Sequence, residues 1–499
     1  MIRFITRNKL WVLGLLSAVI YGMNLRMGDV LVQLGILDSV PNPIASYLMQ
    51  IAPLSLIYFL AVWVAARGQN AGKTLTPIVL FALLFRLPLI PLDPALSSDV
   101  YRYLWEGKVQ VVAAMNPYVV PPADDRLVPL RDQAIYPHIN RKEAPTVYPA
   151  GAQLLFALLH TAGVESPQTF KALSLAADAL TLLLLLLILK QLQLPFDRVI
   201  IYAWNPLLIY EFFWSGHLES LMLPPLLGFI YFFLQRRVLA AGAALGLATA
   251  IKLVPIFLLA TVPQGKRLKT SILFVFIVGL AYLFYAEAGT RILGFLPTYF
   301  SDPYEIFNLG IVQLGLLRAA QLFSFPVSWV RLILFALLLG SLMMISRRPS
   351  NSPADFIEKS YATFSAYLLL IYPAFHPWYL CILMPLLCLV PSRAWILFSL
   401  LLPLSYLKYL AQDGTMPVWI TLAQFVPLYL LLIWEQGKFP IPLRERHASG
   451  GALNEQRAGG GEPSVGLNDP LPFSERDETG KTPLRGSIED RFFHNQAKP

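Results

Sequence analysis

Residues 181–190 read TLLLLLLILK and close an apolar block that begins at Gln168. A helix rises 1.5 Å per residue, so about 20 apolar residues in a row cross a bilayer. Blocks of similar character recur at 10–36, 45–66, 76–92, 199–214, 220–235, 238–262, 269–286, 327–345, 358–375, 378–391, 394–410 and 417–434. Arg26 and Asp29 interrupt the first of them. Of 499 residues, 56% are hydrophobic and 14% charged, against about 25% charged in a soluble domain. This excludes a soluble enzyme, a nucleic-acid binder and a disordered scaffold. The pattern predicts an all-α polytopic membrane protein with about 12 transmembrane helices. Lys252, inside the 238–262 block, adds a re-entrant or half-helix pair, since irregular backbone at that depth is tolerated only where it lines a cavity.

Charge placement sets the expected topology. Arg3, Arg7 and Lys9 precede the first block, and Lys190, Arg198, Arg236, Arg237 and the KRLK run at 266–269 fill short connections. Cations concentrate in cytoplasmic loops, so both termini are expected in the cytoplasm. The polar clusters at 93–148, 215–219, 297–308 and 376–379 then fall on the opposite, outer face, where chemistry is expected. Residues 1–434 are read as the catalytic body, with 93–164 a first outer loop carrying juxtamembrane helices, including a short one in GAQLLFALLHTAGV at 151–164. The Gly-, Pro- and charge-rich residues 435–499 are read as a disordered cytoplasmic tail. Cys381 and Cys388 share one apolar block, so neither a disulfide framework nor a zinc site is encoded. No Walker loop or dinucleotide fingerprint occurs, which leaves nucleotide-sugar donors and ATP drive unsupported.

The densest polar pattern is LDPALSSDVYRYLWEGKVQ at 92–110. Ser98 can cap a helix whose first turn holds Asp99. Arg102, Tyr103 and Glu106 follow at i+3, i+4 and i+7, on the same face. Val100, Leu104 and Trp105 supply an apolar side toward the membrane. The polar face reads either as an Asp99–Arg102–Glu106 ion network or as a site.

Two further stretches extend the pattern, NPY at 116–118 and PHINRKEAPTVYPAGAQ at 137–153. Later come WNPLLIYEFFWSGHLES at 204–220, GLATAIKLVP at 246–255 and HPWYL at 376–380. Together they resemble the GT-C superfamily of membrane glycosyltransferases, within it glycosyltransferase family 87 and its polyprenol-phosphate-mannose-dependent relatives. The resemblance covers about 76–390 and is strongest at 97–153. Ser98 stands where relatives often carry a second acid, and Ala150 where many carry a second proline.

The resemblance implies a GT-C-like fold that transfers a hexose, expected to be mannose, from a polyprenyl-phosphate donor to an extracytoplasmic acceptor hydroxyl with inversion. The acceptor is a glycan or a lipid. Asp99 matches the family's catalytic position, and the chemistry agrees, because the attacking hydroxyl needs one base. The leaving phosphate needs cations or donors rather than a general acid. Lys252 and His376 are the expected phosphate contacts, with Arg102 or Arg291 as further candidates. Tyr103, Glu106, His217, Glu219 and Tyr379 complete the expected substrate-binding set. Bland readings stand beside these: a snorkelling Lys252, an interfacial His376, a structural His217–Glu219 pair. No cofactor is called for, and Ser98 weakens a divalent-metal site built from Asp93, Asp99 and Glu106. Rival readings are a lipid-linked sugar transporter or flippase, against which no internal repeat is found, and an oligosaccharide ligase or polymerase using a lipid pyrophosphate.

Overall fold

The computed structural model describes residues 8–24, 32–33, 35, 42–67, 71–302, 305–411 and 415–436. Among them there is no strand, only an isolated bridge between Phe307 and Ala374. The α-helices of eight or more residues among them are α1 (Lys9–Met23), α2 (Pro43–Ala66), α3 (Ala71–Arg86), α4 (Asp99–Val112), α5 (Ala150–Thr161), α6 (Pro167–Gln191), α7 (Pro206–Phe213), α8 (Glu219–Leu234), α9 (Val238–Ile251), α10 (Gln264–Leu283), α11 (Ile311–Leu322), α12 (Val327–Arg347), α13 (Pro353–Leu370), α14 (Arg393–Leu401) and α15 (Val418–Gln436).

Four of these, α2, α6, α12 and α15, are long and apolar enough to cross a membrane. A fifth crossing follows if α10 and the bent segment Ala286–Tyr299, set at 106° to it, count as one span. The expected figure of about 12 rested on apolar length, and several of those blocks are broken by their own residues. Pro206 begins a new helix capped by Asn205, whose side chain accepts from Leu208 N. The 378–391 and 394–410 blocks each divide into two short helical pieces, with Pro385 and Pro403 near the start of the second piece. Proline lacks the N–H that an uninterrupted helix requires. The break expected near Lys252 is present, α9 giving way to a 3₁₀ segment at Val254–Thr261. The α11 helix was not anticipated.

Glu435 belongs to α15 rather than to a tail, accepting from Ser392 Oγ at 2.7 Å and from Arg393 N at 2.6 Å. Gln436 closes the same helix, and residues 437–499 of the expected tail, with Arg26 and Asp29, lie outside the described residues. Deep in the body, Arg86 pairs with Asp178 at 2.7 Å and donates to the Ala82 and Ala203 carbonyls, while Tyr202 OH donates to Asp178 at 2.6 Å. These bonds offset part of the cost of burying the two charges, although Arg86 Nη2 has no hydrogen-bond partner among the described residues. The pair locks α3, α6 and the turn before α7 into one frame.

The α4 helix departs from expectation in its surroundings. Val100, Leu104 and Trp105 do not form an outward apolar face. They are buried against a separate core that includes Leu127, Ile135 and Phe156. Trp105 meets Tyr136 with ring centroids 5.1 Å apart. The 113–149 connection therefore folds over α4 and encloses it. Nor does Ser98 cap the helix with its side chain; Ser97 Oγ accepts from Asp99 N at 3.2 Å instead.

Candidate functional site

A cavity of about 1430 Å³ opens beside the first turn of α4. Asp99, Arg102, Tyr103, Lys252, His376 and Tyr379 all line it. His217 and Glu219 sit directly behind this lining, and Glu106 lies deeper still. Arg291, in contrast, is exposed and outside the lining.

Asp99 keeps about a fifth of its side-chain surface open (21%). Asn140 Nδ2 donates to its Oδ1 at 2.9 Å, and His217 Nδ1 stands 3.9 Å from its Oδ2. Burial pushes the Asp99 carboxyl above its ordinary value, an effect opposed by the Asn140 hydrogen bond and by Lys252 nearby. The carboxylate is held in place by one amide and remains open to the cavity.

Seven residues along, Glu106 has the opposite character. Its oxygens accept from Arg102 Nε at 2.5 Å, Thr146 Oγ1 at 2.9 Å and Gln153 Nε2 at 2.5 Å, and it is 2% exposed. Arg102 spends its remaining donors on loop carbonyls, those of Arg141 at 3.0 Å and Ala144 at 2.7 Å, with Asn140 O at 3.3 Å. The Arg102–Glu106 pair is thus a brace for the 140–146 loop, and that loop delivers Asn140 to Asp99. Tyr103 stacks on Phe156 at 4.9 Å and meets Tyr148 edge-on at 5.1 Å.

Lys252 follows the last turn of α9, where the helix dipole favours a cation. It pairs with Glu219, the first residue of α8, and its Nζ lies 5.1 Å from the Tyr379 ring centroid. Gly151 makes this corner possible, since a Cβ there would lie 2.7 Å from the Ala250 carbonyl oxygen. His217 reaches Asp99 through a turn at Gly216, whose φ of +76° strongly favours glycine.

One wall is a pile of rings. His217 stacks on Trp378 at 4.0 Å, Trp378 on His376 at 4.3 Å, His376 on Phe307 at 4.7 Å and Phe307 on Tyr409 at 5.9 Å. Burial, with Lys252 and Lys408 nearby, pushes the His376 imidazole down to about 3, so at neutral pH it offers an uncharged N–H rather than a cation. The two cysteines are buried and free.

Two cations that the sequence reading passed over line the same cavity, Arg331 and Lys408. No carboxylate among the described residues lies within 4 Å of either. Arg331 Nε is buried without a hydrogen-bond partner among the described residues, and Lys408 Nζ sits 5.3 Å from the Phe307 ring centroid. Below Arg331, α12 lines the cavity with Leu332, Phe335 and Leu338. Arg141, also in the lining, is by contrast held by Glu305 at 2.6 Å. Among the described residues no group of three metal-ligating side chains is gathered.

Such a chain, helical, with several apolar helices long enough to cross a membrane and a cavity with polar and apolar sides, falls in the class of polytopic membrane proteins. A family model described as alpha-(1->6)-mannopyranosyltransferase, N-terminal domain, matches residues 12–264, about half of the 499 residues, and the chain belongs to that family. It is a membrane glycosyltransferase, in keeping with the resemblance read from its motifs. No curated protein and no solved structure matches it. The match contains Asp99, Arg102, Tyr103, Glu106, His217, Glu219 and Lys252, and ends before Arg331, His376, Tyr379 and Lys408.

Proposed function

We propose that the chain transfers a mannosyl unit from a polyprenyl-phosphate donor to a glycan hydroxyl, with Asp99 as the base. The observation that carries this reading is a partly open carboxylate facing a cavity whose other side joins cations to an apolar helix face. A lipid phosphate needs both features together. Arg331, Lys408 and Lys252 are the charges available to the phosphate, His376 and Tyr379 the neutral donors, and Leu332, Phe335 and Leu338 the surface for the first isoprene units.

The acceptor oxygen attacks the anomeric carbon and loses its proton to Asp99. The bond from that carbon to the phosphate oxygen breaks, and its electron pair leaves with the phosphate. A phosphate departs without protonation, so one carboxyl suffices where a glycosidase needs two. The nearby cations stabilise the charge that develops on it. A single displacement inverts the anomeric centre. If the product carries the α-(1→6) linkage of the family's description, the donor is a β-linked mannosyl phosphate and the acceptor a primary hydroxyl.

The site belongs, on this reading, to the extracytoplasmic side. Support comes from Lys190, Arg198, Arg236, Arg237, Arg347 and Arg348, which cluster in the short connections that positive-inside placement assigns to the cytoplasm. Purified protein in vesicles, given radiolabelled polyprenyl-phosphate mannose, tests the proposal. Label in the acceptor supports it. Label that crosses the bilayer with its phosphate bond intact makes the chain a transporter, and activity only with a lipid-pyrophosphate oligosaccharide makes it a ligase.

A further inference from the structure

Behind Asp99 lies a buried polar line that the reaction above does not use. Tyr406 OH donates to Glu211 Oε1 at 2.8 Å. Glu211 Oε2 stands 3.2 Å from His217 Nε2, and His217 Nδ1 stands 3.9 Å from Asp99 Oδ2. Glu211 and His217 are both fully buried, at 0% exposure. Among the described residues, neither Glu211 Oε2 nor either ring nitrogen of His217 has any other hydrogen-bond partner. Buried polar atoms left in that state are costly, so a proton belongs between Oε2 and Nε2. Trp378 covers one face of the imidazole at 4.0 Å, which fixes the ring plane. Glu211 O accepts from His217 N at 3.0 Å, closing the turn around the pair.

We infer, on the reading of Asp99 as base, that Glu211 and His217 are positioning residues that aim a hydrogen bond at the catalytic carboxylate. Burial drives the His217 imidazole well below its ordinary value, so it carries one ring proton. Asp99 is an acceptor, which assigns that proton to Nδ1. Nε2 is then an acceptor, and the proton it shares with Glu211 must come from the Glu211 carboxyl. The 3.9 Å gap is longer than a hydrogen bond, and closes when the acceptor hydroxyl draws Asp99 into place. The line has a definite direction, from Tyr406 through Glu211 and His217 to Asp99.

Other charges face these groups. Asp99 is near Lys252, Glu219, Arg102, Glu305 and Glu211, and receives the Asn140 amide. His217 is near Lys252 and His376, and Glu211 is near Glu219 and Tyr47. Glu211 apart, none of these stands in hydrogen-bonding contact with His217, so the inferred line can be cut without removing them.

A donor to an ionised carboxylate holds its pKa down. His217→Phe keeps the stacked ring and removes the donor. It is expected to move the acid limb of the kcat profile up by about one pH unit, the size of one charge-assisted hydrogen bond, and to lower kcat by about ten-fold, with KM for polyprenyl-phosphate mannose held within about two-fold. His217→Gln, whose amide N–H can reach Asp99, should restore most of the shift. Glu211→Leu should move the acid limb in the same direction, and Glu211→Gln, which can still donate to Nε2, should rescue it. An acid limb unmoved in both His217→Phe and Glu211→Leu overturns the inference. Equal loss in Glu211→Gln and Glu211→Leu also overturns it, because Glu211 would then have to ionise. The 211 pair reads out independently if Phe at 217 fails to fold. Asp99→Asn separates the two levels. Normal turnover in that variant removes the base itself, whereas an inactive Asp99→Asn beside an unmoved His217→Phe profile removes only the line behind it.

Discussion

Two sides of the cavity are built on different plans. On the side inside the family match, charges arrive with partners: Arg102 with Glu106, Lys252 with Glu219, Asp99 with Asn140 and His217. On the side beyond residue 264, Arg331 and Lys408 face the cavity with no carboxylate within 4 Å among the described residues. A paired charge is held in place and its field is largely spent locally. An unpaired one in an apolar wall is expensive to keep and returns that cost only when an anion arrives. On the function proposed above, the contrast gives orientation and proton transfer to the first side and, Lys252 apart, phosphate binding to the second.

The largest expected break in this contrast is Asp99→Asn, which leaves the paired side folded but removes the proposed base. Transfer should fall by about 10²–10⁴-fold, the usual worth of general base catalysis, measured as labelled mannose moved per minute. The same group sets the pH dependence. Its raised pKa means that activity is lost as pH falls through a value above the ordinary carboxylate range. The stability linkage has the opposite sense. A raised folded-state pKa favours folding below the unfolded value, and that contribution fades as pH rises through the folded one.

Next in size is Arg102→Met, which leaves Glu106 buried without its charge partner and frees the 140–146 loop. Breaking a buried pair costs about 3–5 kcal/mol, to be read as a fall in the thermal midpoint in detergent. An unchanged midpoint would show the brace to be dispensable. Arg331→Gln should act on the other side, raising KM for the lipid-phosphate donor by about ten-fold or somewhat more and leaving the midpoint nearly unmoved. A large stability loss with unchanged KM would reverse its assignment. The smallest effect is expected from Tyr118→Phe, which loses one hydrogen bond to the Tyr148 carbonyl at 2.8 Å, about 1 kcal/mol by thermal unfolding.

The legibility of these features in the sequence follows the same division. Asp99 could be found because a proline, two serines and an acid in a row announce a helix start, and the i+3, i+4 and i+7 spacing gathers its polar neighbours. Spacing alone did not separate Asp99 from Glu106. What separates them is Thr146 and Gln153, far along the chain, which consume one carboxylate and leave the other open. The Lys252 break was readable as a cation inside an apolar run. Arg331 was not, because SWVRLILFALLLG reads as a lipid-facing span whose cation marks its end. The available signal was Ser328, Arg331, Phe335 and Leu338 recurring on one helix face. Lys408, inside LSYLKYL, resembled another span-end cation. Glu211 is a lone acid inside the apolar 199–214 block, a pattern that says it bonds to another helix without saying which. The partner is Tyr406, 195 residues away, and His217 adds a second contact that no local pattern foretells.

The pile of rings from His217 to Tyr409 constrains anyone who would splice this chain with a relative. Its lowest member belongs to the portion that the family model covers, and the other four to the portion that it does not. A graft whose seam falls between 264 and 307 would ask one parent's imidazole to lie flat against another parent's indole. Chimeras joined there should tolerate foreign helices more readily than a foreign residue at 378, and exchanging 217 and 378 as a set is the conservative way to make them.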